Sequence, residues 1–134
     1  SRLDEIQAAI LSVKLKYLNS DTARRREVAR YYLQHIIHPD IVLPIIKDWE
    51  AHVFHIFIIR SSRRNELQKY LSDNGVQTII HYPVPPHKQN AYSEWNHLSF
   101  PITEKIHEEV LSLPISQVIT NEEVEKVVEI LNSF

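Results

Sequence analysis

The residues best suited to chemistry lie close together in a segment with the sequence HYPVPPH, residues 81–87. The imidazoles of His81 and His87 and the phenol of Tyr82 can donate or accept hydrogen bonds near neutral pH. Three prolines restrict the backbone that carries these groups, and pre-ordered polar groups bind polyhydroxylated ligands at low entropic cost. Residues 81–90, which we call the proline loop, are therefore a candidate binding site. The alternative, a structural corner capped by histidines, stays open.

The chain has eight histidines, which raises the question of a metal site. His52 and His55 are three residues apart, so on a predicted strand they point to opposite faces and cannot share an ion. His81 and His87 could converge, but no third ligand completes a recognisable pattern. The spacing predicts no metal site.

Composition excludes several classes of protein. The chain has 134 residues, a formal charge of -2, one glycine and no cysteine. A single glycine rules out Gly-rich phosphate loops and dinucleotide fingerprints, and the lack of cysteine rules out thiol chemistry. The charge argues against a general nucleic-acid binder, and no apolar run is long enough to cross a membrane. We expect one globular domain in the cytoplasm.

The elements around the loop follow from apolar spacing. The first helix carries Leu3, Ile6 and Ile10 on one stripe, and residues 19–21 interrupt the pattern. This predicts a break between two helices at residues 19–21, or one helix that is kinked there. A second helix follows and ends before Pro39, with the basic triplet at residues 24–26 on a solvated face.

Three strands and three further helices complete the prediction. Residues 53–59 favour a central strand, residues 76–81 a second strand, and residues 41–43 a short strand. Between the two main strands a helix ends at Gly75, and a later helix begins at Pro101 and carries Ile106, Val110 and Leu111 on one face. A capping box formed by Thr120 and Glu123 begins the last helix. The fold class is α+β, a small antiparallel or mixed sheet packed against helices.

Four segments together resemble the C-terminal part of the DegT/StrS-type sugar aminotransferases. Residues 1–11 resemble its opening segment, without the asparagine that normally precedes it, and residues 52–60 resemble its central strand. Residues 75–78, leading into the proline loop and Tyr92, look like its active-site loop. The closing pattern is similar at residues 100–101, Glu104, residues 111–115 and residues 120–124.

The resemblance implies that residues 1–134 are the small domain of a longer, truncated parent chain. Such enzymes use pyridoxal 5'-phosphate to move an amino group, usually from glutamate, onto a keto nucleotide sugar. The lysine that forms the Schiff base lies in the larger domain, so the resemblance implies a catalytically inactive fragment without bound cofactor. It also implies a homodimer and a role in surface polysaccharide or lipopolysaccharide synthesis, the common setting of the family. From the charge and the short apolar runs, we expect no nucleic-acid or membrane partner.

The resemblance also implies site residues. His81, Tyr82 and His87 are expected to contact the sugar nucleotide, and Arg2 to lie near an anionic group. Pro86 and Lys88 depart from the family pattern inside the loop, which leaves the sugar unassigned, although the His-Tyr-Pro form resembles members acting on 3-keto sugars linked to deoxythymidine diphosphate. A stand-alone small-molecule binding domain or an interaction domain without catalysis remains the alternative.

Overall fold

Five α-helices and a two-stranded sheet form the framework of the protein. The computed structural model describes residues 4–134. Two short 3-10 helices, Pro86–Lys88 and Asn90–Trp95, lie in and after the proline loop. The remaining elements, in chain order, are α1 (Glu5–Leu15), α2 (Leu18–His35), β1 (Phe57–Arg60), α3 (Arg64–Asp73), α4 (Pro101–Glu109), β2 (Val110–Leu113) and α5 (Asn121–Asn132).

The sheet is antiparallel, which confirms the predicted α+β class. Phe57 pairs with Leu113 and Arg60 with Val110. Single bridges extend the sheet on both sides, because Val42 pairs with Arg60 and Ile79 pairs with Ser112. The predicted strands at residues 41–43 and 76–81 are thus reduced to one bridge each among the described residues.

The core lies between the sheet and helices α2, α3 and α5. Tyr32 of α2, Leu67 of α3 and Leu131 of α5 are completely buried around Phe57 of β1. The Tyr32 hydroxyl donates a hydrogen bond to the carbonyl of Pro114 at 2.7 Å. Burial raises the pKa of this phenol, because the charged form would lose its hydration.

Local signals were predicted correctly at several helix ends. Thr120 and Glu123 form the reciprocal capping box at the start of α5. Gly75 follows α3 with a φ of 80°, a left-handed conformation that glycine adopts without steric cost. At the start of α3, where Ser61 or Ser62 is the capping residue that the sequence predicts, the N-cap is Arg63 and makes no side-chain capping bond, although its amide donates to the Ser61 hydroxyl.

The predicted helix break at residues 19–21 was wrong. The helices separate at Lys16 and Tyr17, and residues 19–21 form the first turn of α2. The Ser20 hydroxyl donates to the carbonyl of Tyr17 at 2.8 Å, and the carboxylate of Asp21 lies near the positive end of the helix dipole. Polar residues that end a helix in one context therefore begin one here.

The predicted strand at residues 53–59 begins only at Phe57, so His52 and His55 are not strand residues. Phe54 has a φ of 47°, and Nδ1 of His52 accepts a hydrogen bond from its amide. The carbonyls of Phe54 and His55 accept hydrogen bonds from the Arg25 side chain in place of those from a neighbouring strand.

Val110 and Leu111 were predicted on a helix face but belong to β2. α4 ends at Glu109, and Val110 is already extended. Pairing with β1 outweighs the helical spacing of these residues, because it satisfies the backbone of a strand that is buried along its whole length.

The basic triplet at residues 24–26 was predicted to be solvated, but its side chains are partly buried cross-links. Arg24 donates to the carbonyl of Ile119 and to Oδ1 of Asn121, each at 2.8 Å. Arg26 donates to the carbonyl and carboxylate of Glu50. These arginines therefore tie α2 to two distant loops.

Candidate functional site

The proline loop leaves the sheet at a point where several bonds hold it. Ile79 exchanges backbone hydrogen bonds with Ser112 of β2, at 3.3 and 2.8 Å. Two residues later, Nδ1 of His81 lies 2.8 Å from the Ser112 hydroxyl oxygen. Nδ1 of His107, on α4, lies 2.6 Å from the carbonyl oxygen of Tyr82. The first two residues of the loop are thus attached to α4 and β2.

Tyr82 presents its side chain to solvent. The residue is 67% exposed, and its neighbours Pro83 and Val84 are also exposed. His81 is half-buried, with its ring edge-on to the Tyr82 ring at 5.6 Å. An exposed phenol on a fixed backbone can donate to or accept from a ligand hydroxyl.

His87 occupies a different environment. It is 5% exposed, and its Nε2 lies 2.8 Å from Oε1 of Glu104 on α4. Its ring also packs edge-on against Phe100 at 4.9 Å. His87 and His81 therefore do not share a hydrogen-bond partner, and in this structure His87 attaches the far end of the loop to α4.

Glu104 organises this far end. Oε1 also accepts a hydrogen bond from the backbone amide of Phe100 at 3.0 Å. The hydrogen bond from His87, then that from Phe100, and the nearby Lys88 ammonium hold the pKa of Glu104 below its usual range. The ionised carboxylate is therefore the form that this arrangement stabilises.

The chain beyond the loop carries an aromatic pair. The rings of Tyr92 and Trp95 stack in parallel at 4.9 Å, and the residues are 41% and 45% exposed. The Lys88 ammonium donates to the carbonyls of Asn96 and Leu98 at 2.9 and 3.0 Å. This segment therefore folds back on the loop.

Sequence reasoning missed His107 and Ser112 as site residues and did not assign a role to Glu104. The spacing of Glu104 after Pro101 places it in the first turn of α4, a signal that was available. His107 and Ser112 contact residues 25 and 31 positions earlier, and no sequence spacing indicates such contacts. Arg2, the fourth predicted site residue, lies outside the described residues.

A groove of about 690 Å³ lies on another face, between α1, α2 and the loop before β1. Leu11, Leu15, Leu18 and Val53 line it, together with the partly buried Arg25. α1 buries none of its residues, and its apolar side chains are exposed. The groove is thus an apolar surface with a charged edge.

Within residues 4–134, no group of three or more His, Asp or Glu side chains is placed to hold a metal ion. In the same range no helix is long and apolar enough to cross a membrane.

The arrangement of helices, sheet and loop can be compared with known proteins. A model of the DegT/DnrJ/EryC1/StrS aminotransferase family matches residues 1–132. The chain belongs to this family. Its resemblance to such enzymes, inferred above from four segments, is thereby confirmed.

Two of the relatives that the chain resembles are named as sugar transaminases. Over 134 residues the chain is 60% identical to the dTDP-3-amino-3,6-dideoxy-alpha-D-galactopyranose transaminase of Aneurinibacillus thermoaerophilus, covering all of this chain and 37% of that protein. It is 42% identical over 118 residues to the dTDP-3-amino-3,4,6-trideoxy-alpha-D-glucose transaminase of Streptomyces venezuelae, covering 86% of this chain and 31% of that protein.

Solved family structures share the fold. DesV of S. venezuelae, in complex with a ketimine intermediate, superposes with a TM-score of 0.92 at 36% identity, over 98% of this chain and 36% of DesV. NtdA of Bacillus subtilis, with bound cofactor PMP, gives a TM-score of 0.87 at 32% identity, over 97% of this chain and 32% of NtdA. The chain spans about a third of the length of the relatives it matches.

Proposed function

We propose that this chain is the C-terminal small domain of a pyridoxal-phosphate-dependent aminotransferase that transfers an amino group from glutamate to a keto nucleotide sugar. The 60% identity to a dTDP-sugar transaminase, across a little more than a third of that enzyme, is the observation that carries the proposal. It favours a 3-keto sugar linked to deoxythymidine diphosphate as the substrate. A cytoplasmic homodimer serving surface polysaccharide or lipopolysaccharide synthesis is part of the same proposal.

The described residues do not fit a complete cofactor site. A Schiff base requires a lysine that can lose its proton in a sheltered pocket, yet every lysine of this chain is exposed. Lys88, the lysine on the loop, donates to two backbone carbonyls instead. The cofactor and its lysine would therefore come from the remainder of the parent, and we expect the 134-residue chain alone to be inactive.

In this proposal the chain contributes to substrate binding. The exposed Tyr82 phenol and the half-buried His81 imidazole lie side by side at the start of the loop, where both can meet sugar hydroxyls or phosphate oxygens. His87 was predicted as a further contact, and its buried bond to Glu104 supports a role in holding the loop in place. Arg2 stays a predicted anion contact.

The exposed α1 face supports the fragment assignment. Ile6, Ile10 and Val13 are 73%, 54% and 56% exposed, although their spacing is that of a helix that packs against another surface. We expect the rest of the parent chain or a partner subunit to cover this face.

The test is to express the complete reading frame and record its visible absorption with pyridoxal phosphate, before and after addition of glutamate. The proposal predicts a visible band in the full-length protein that glutamate removes. The 134-residue chain, treated identically, is the control and should show no such band. A full-length protein without the band, or a reading frame that begins near Ser1, would overturn the proposal.

The alternative is an interaction domain without catalysis, which the groove on α1 favours. It predicts binding of another protein to this face and no glutamate-dependent change in absorption. The same experiment on the complete reading frame therefore separates the two functions.

A further inference from the structure

The hydrogen bond between His107 and Tyr82 joins α4 to the exposed part of the proline loop. Nδ1 of His107 lies 2.6 Å from the carbonyl oxygen of Tyr82. A carbonyl oxygen only accepts hydrogen bonds, so Nδ1 must carry the proton and donate. Nδ1 can donate in the neutral ring and also in the protonated ring, so the bond does not require one charge state.

The backbone that carries His107 is held by hydrogen bonds from α3. The guanidinium of the buried Arg64, on α3, donates to the carbonyl of His107 at 3.3 Å and to that of Val110 at 3.2 Å. These bonds fix the end of α4 against α3 where the chain turns into β2. The imidazole therefore projects from a backbone that is held on both sides of the bend.

Among the described residues, residues 82–86 of the loop make few other hydrogen bonds that could fix their position. In the described part of the chain, the other hydrogen bonds of residues 82–86 go to residues 88 and 89 within the same loop. Backbone bonds inside a loop preserve its local shape but do not set its orientation relative to the rest of the domain. The bond from His107 supplies that orientation at Tyr82.

We propose that His107 is a positioning residue, which holds the backbone of Tyr82 and thereby directs its phenol toward the sugar nucleotide. This inference rests on the proposed function, because it assigns Tyr82 to that substrate. His107 acts through Tyr82 and is not itself a catalytic residue.

The test uses the full-length enzyme loaded with pyridoxal phosphate and two substitutions. His107→Leu removes the donor, whereas His107→Asn places a side-chain N–H at the same branch position as Nδ1. Since a hydrogen bond of this kind is worth about 1 kcal/mol, His107→Leu should weaken binding of dTDP-3-amino-3,6-dideoxy-alpha-D-galactose roughly fivefold. His107→Asn should bind it within about twofold of wild type, and glutamate-dependent bleaching of the cofactor band should stay unchanged in both.

The second measurement is amide hydrogen exchange across residues 82–88. His107→Leu should increase exchange there, and His107→Asn should not. His35→Leu is the matched control, because Nδ1 of His35 also lies within hydrogen-bond distance of a backbone carbonyl, that of Tyr31 at 2.9 Å, but inside α2. It should change neither sugar binding nor exchange in the loop.

The positioning role would be overturned if His107→Leu kept both the sugar affinity and the loop exchange of the wild type. It would also be overturned if the Leu and Asn variants lost sugar affinity equally. If the wild-type enzyme shows no cofactor band and no sugar binding, the proposed function fails and the directing of the phenol fails with it. The exchange comparison does not depend on activity, and it would still decide whether His107 holds the loop.

Discussion

The Glu104 carboxylate lies 2.8 Å from Nε2 of the buried His87, although 17 residues separate the two in the chain. The same carboxylate oxygen accepts the amide of Phe100 at the start of α4. One side chain thus joins the far end of the proline loop to the first turn of a helix. The loop is held by α4 at both ends, by Glu104 at His87 and by His107 at Tyr82.

Replacing Glu104 should destabilise the chain at neutral pH but not in acid. The fold lowers the pKa of Glu104, chiefly through the hydrogen bond from His87. The ionised Glu104 carboxylate therefore stabilises the fold fully above the pKa of an unfolded glutamate, about 4.3. This stabilisation is lost as the pH falls through the lower pKa that Glu104 has in the folded state. Thermal unfolding of Glu104→Gln should show a lower midpoint than wild type at pH 7, with the difference closing below about pH 4.

Glu108→Gln provides the control, because Glu108 is an exposed glutamate on the same helix. It should unfold like wild type at pH 7. Equal midpoints for Glu104→Gln and wild type at pH 7, or a difference that persists unchanged at pH 3, would contradict the assigned role of the carboxylate.

The ion pair between Arg60 and Glu109 should matter more than a shorter pair on the surface. Nε and a terminal nitrogen of Arg60 donate to one oxygen of Glu109 at 3.0 and 2.8 Å, and the Glu109 side chain is only 12% exposed. Arg60→Met keeps the aliphatic stem but leaves the buried carboxylate poorly paired. We expect a loss of about 1–3 kcal/mol in the free energy of unfolding, measured by urea denaturation.

Lys69→Met tests the same change at an exposed pair. Lys69 and Asp73 are 2.6 Å apart, but their side chains are 76% and 60% exposed. Because solvent screens such a pair, we expect a loss below about 0.5 kcal/mol. If both variants lost the same free energy, burial would not be the property that distinguishes the two pairs.

The uncovered face of α1 should make the isolated chain associate with itself. This face carries Ile6, Ile10 and Val13, which are 73%, 54% and 56% exposed. Ile10→Asp should weaken association about tenfold in sedimentation experiments, because an unpaired carboxylate in an apolar contact costs more than about 1.4 kcal/mol. Ile45→Asp, at a residue that is 89% exposed and not part of α1, is the control and should leave the association unchanged.

Features that depend on neighbouring residues could be predicted from the sequence alone. The capping box of α5 needs only Thr120 and Glu123 three residues apart, and the end of α3 needs only the left-handed conformation that Gly75 adopts easily. The spacing of apolar residues likewise predicts a buried stripe on α5, and Val124, Val127, Val128 and Leu131 are all buried. Phe134, the last residue of the predicted stripe, lies beyond the end of α5 and is only partly buried. The position of the proline loop and the α+β class were also predictable, since each follows from residue types along short segments.

Tertiary contacts decided the rest. Val110 and Leu111 have helical spacing but join β2, because β1 offers their backbone a partner. Arg24 and Arg26 are partly buried because each also donates to groups of other elements, which lie 24 to 97 residues away in the chain. The bond from His107 to Tyr82 likewise exists only once α4 is folded beside the loop. The spacing of residues along the chain reflects the geometry within one helix or strand. These bonds depend instead on how separate elements pack, and that packing is determined by all core residues together.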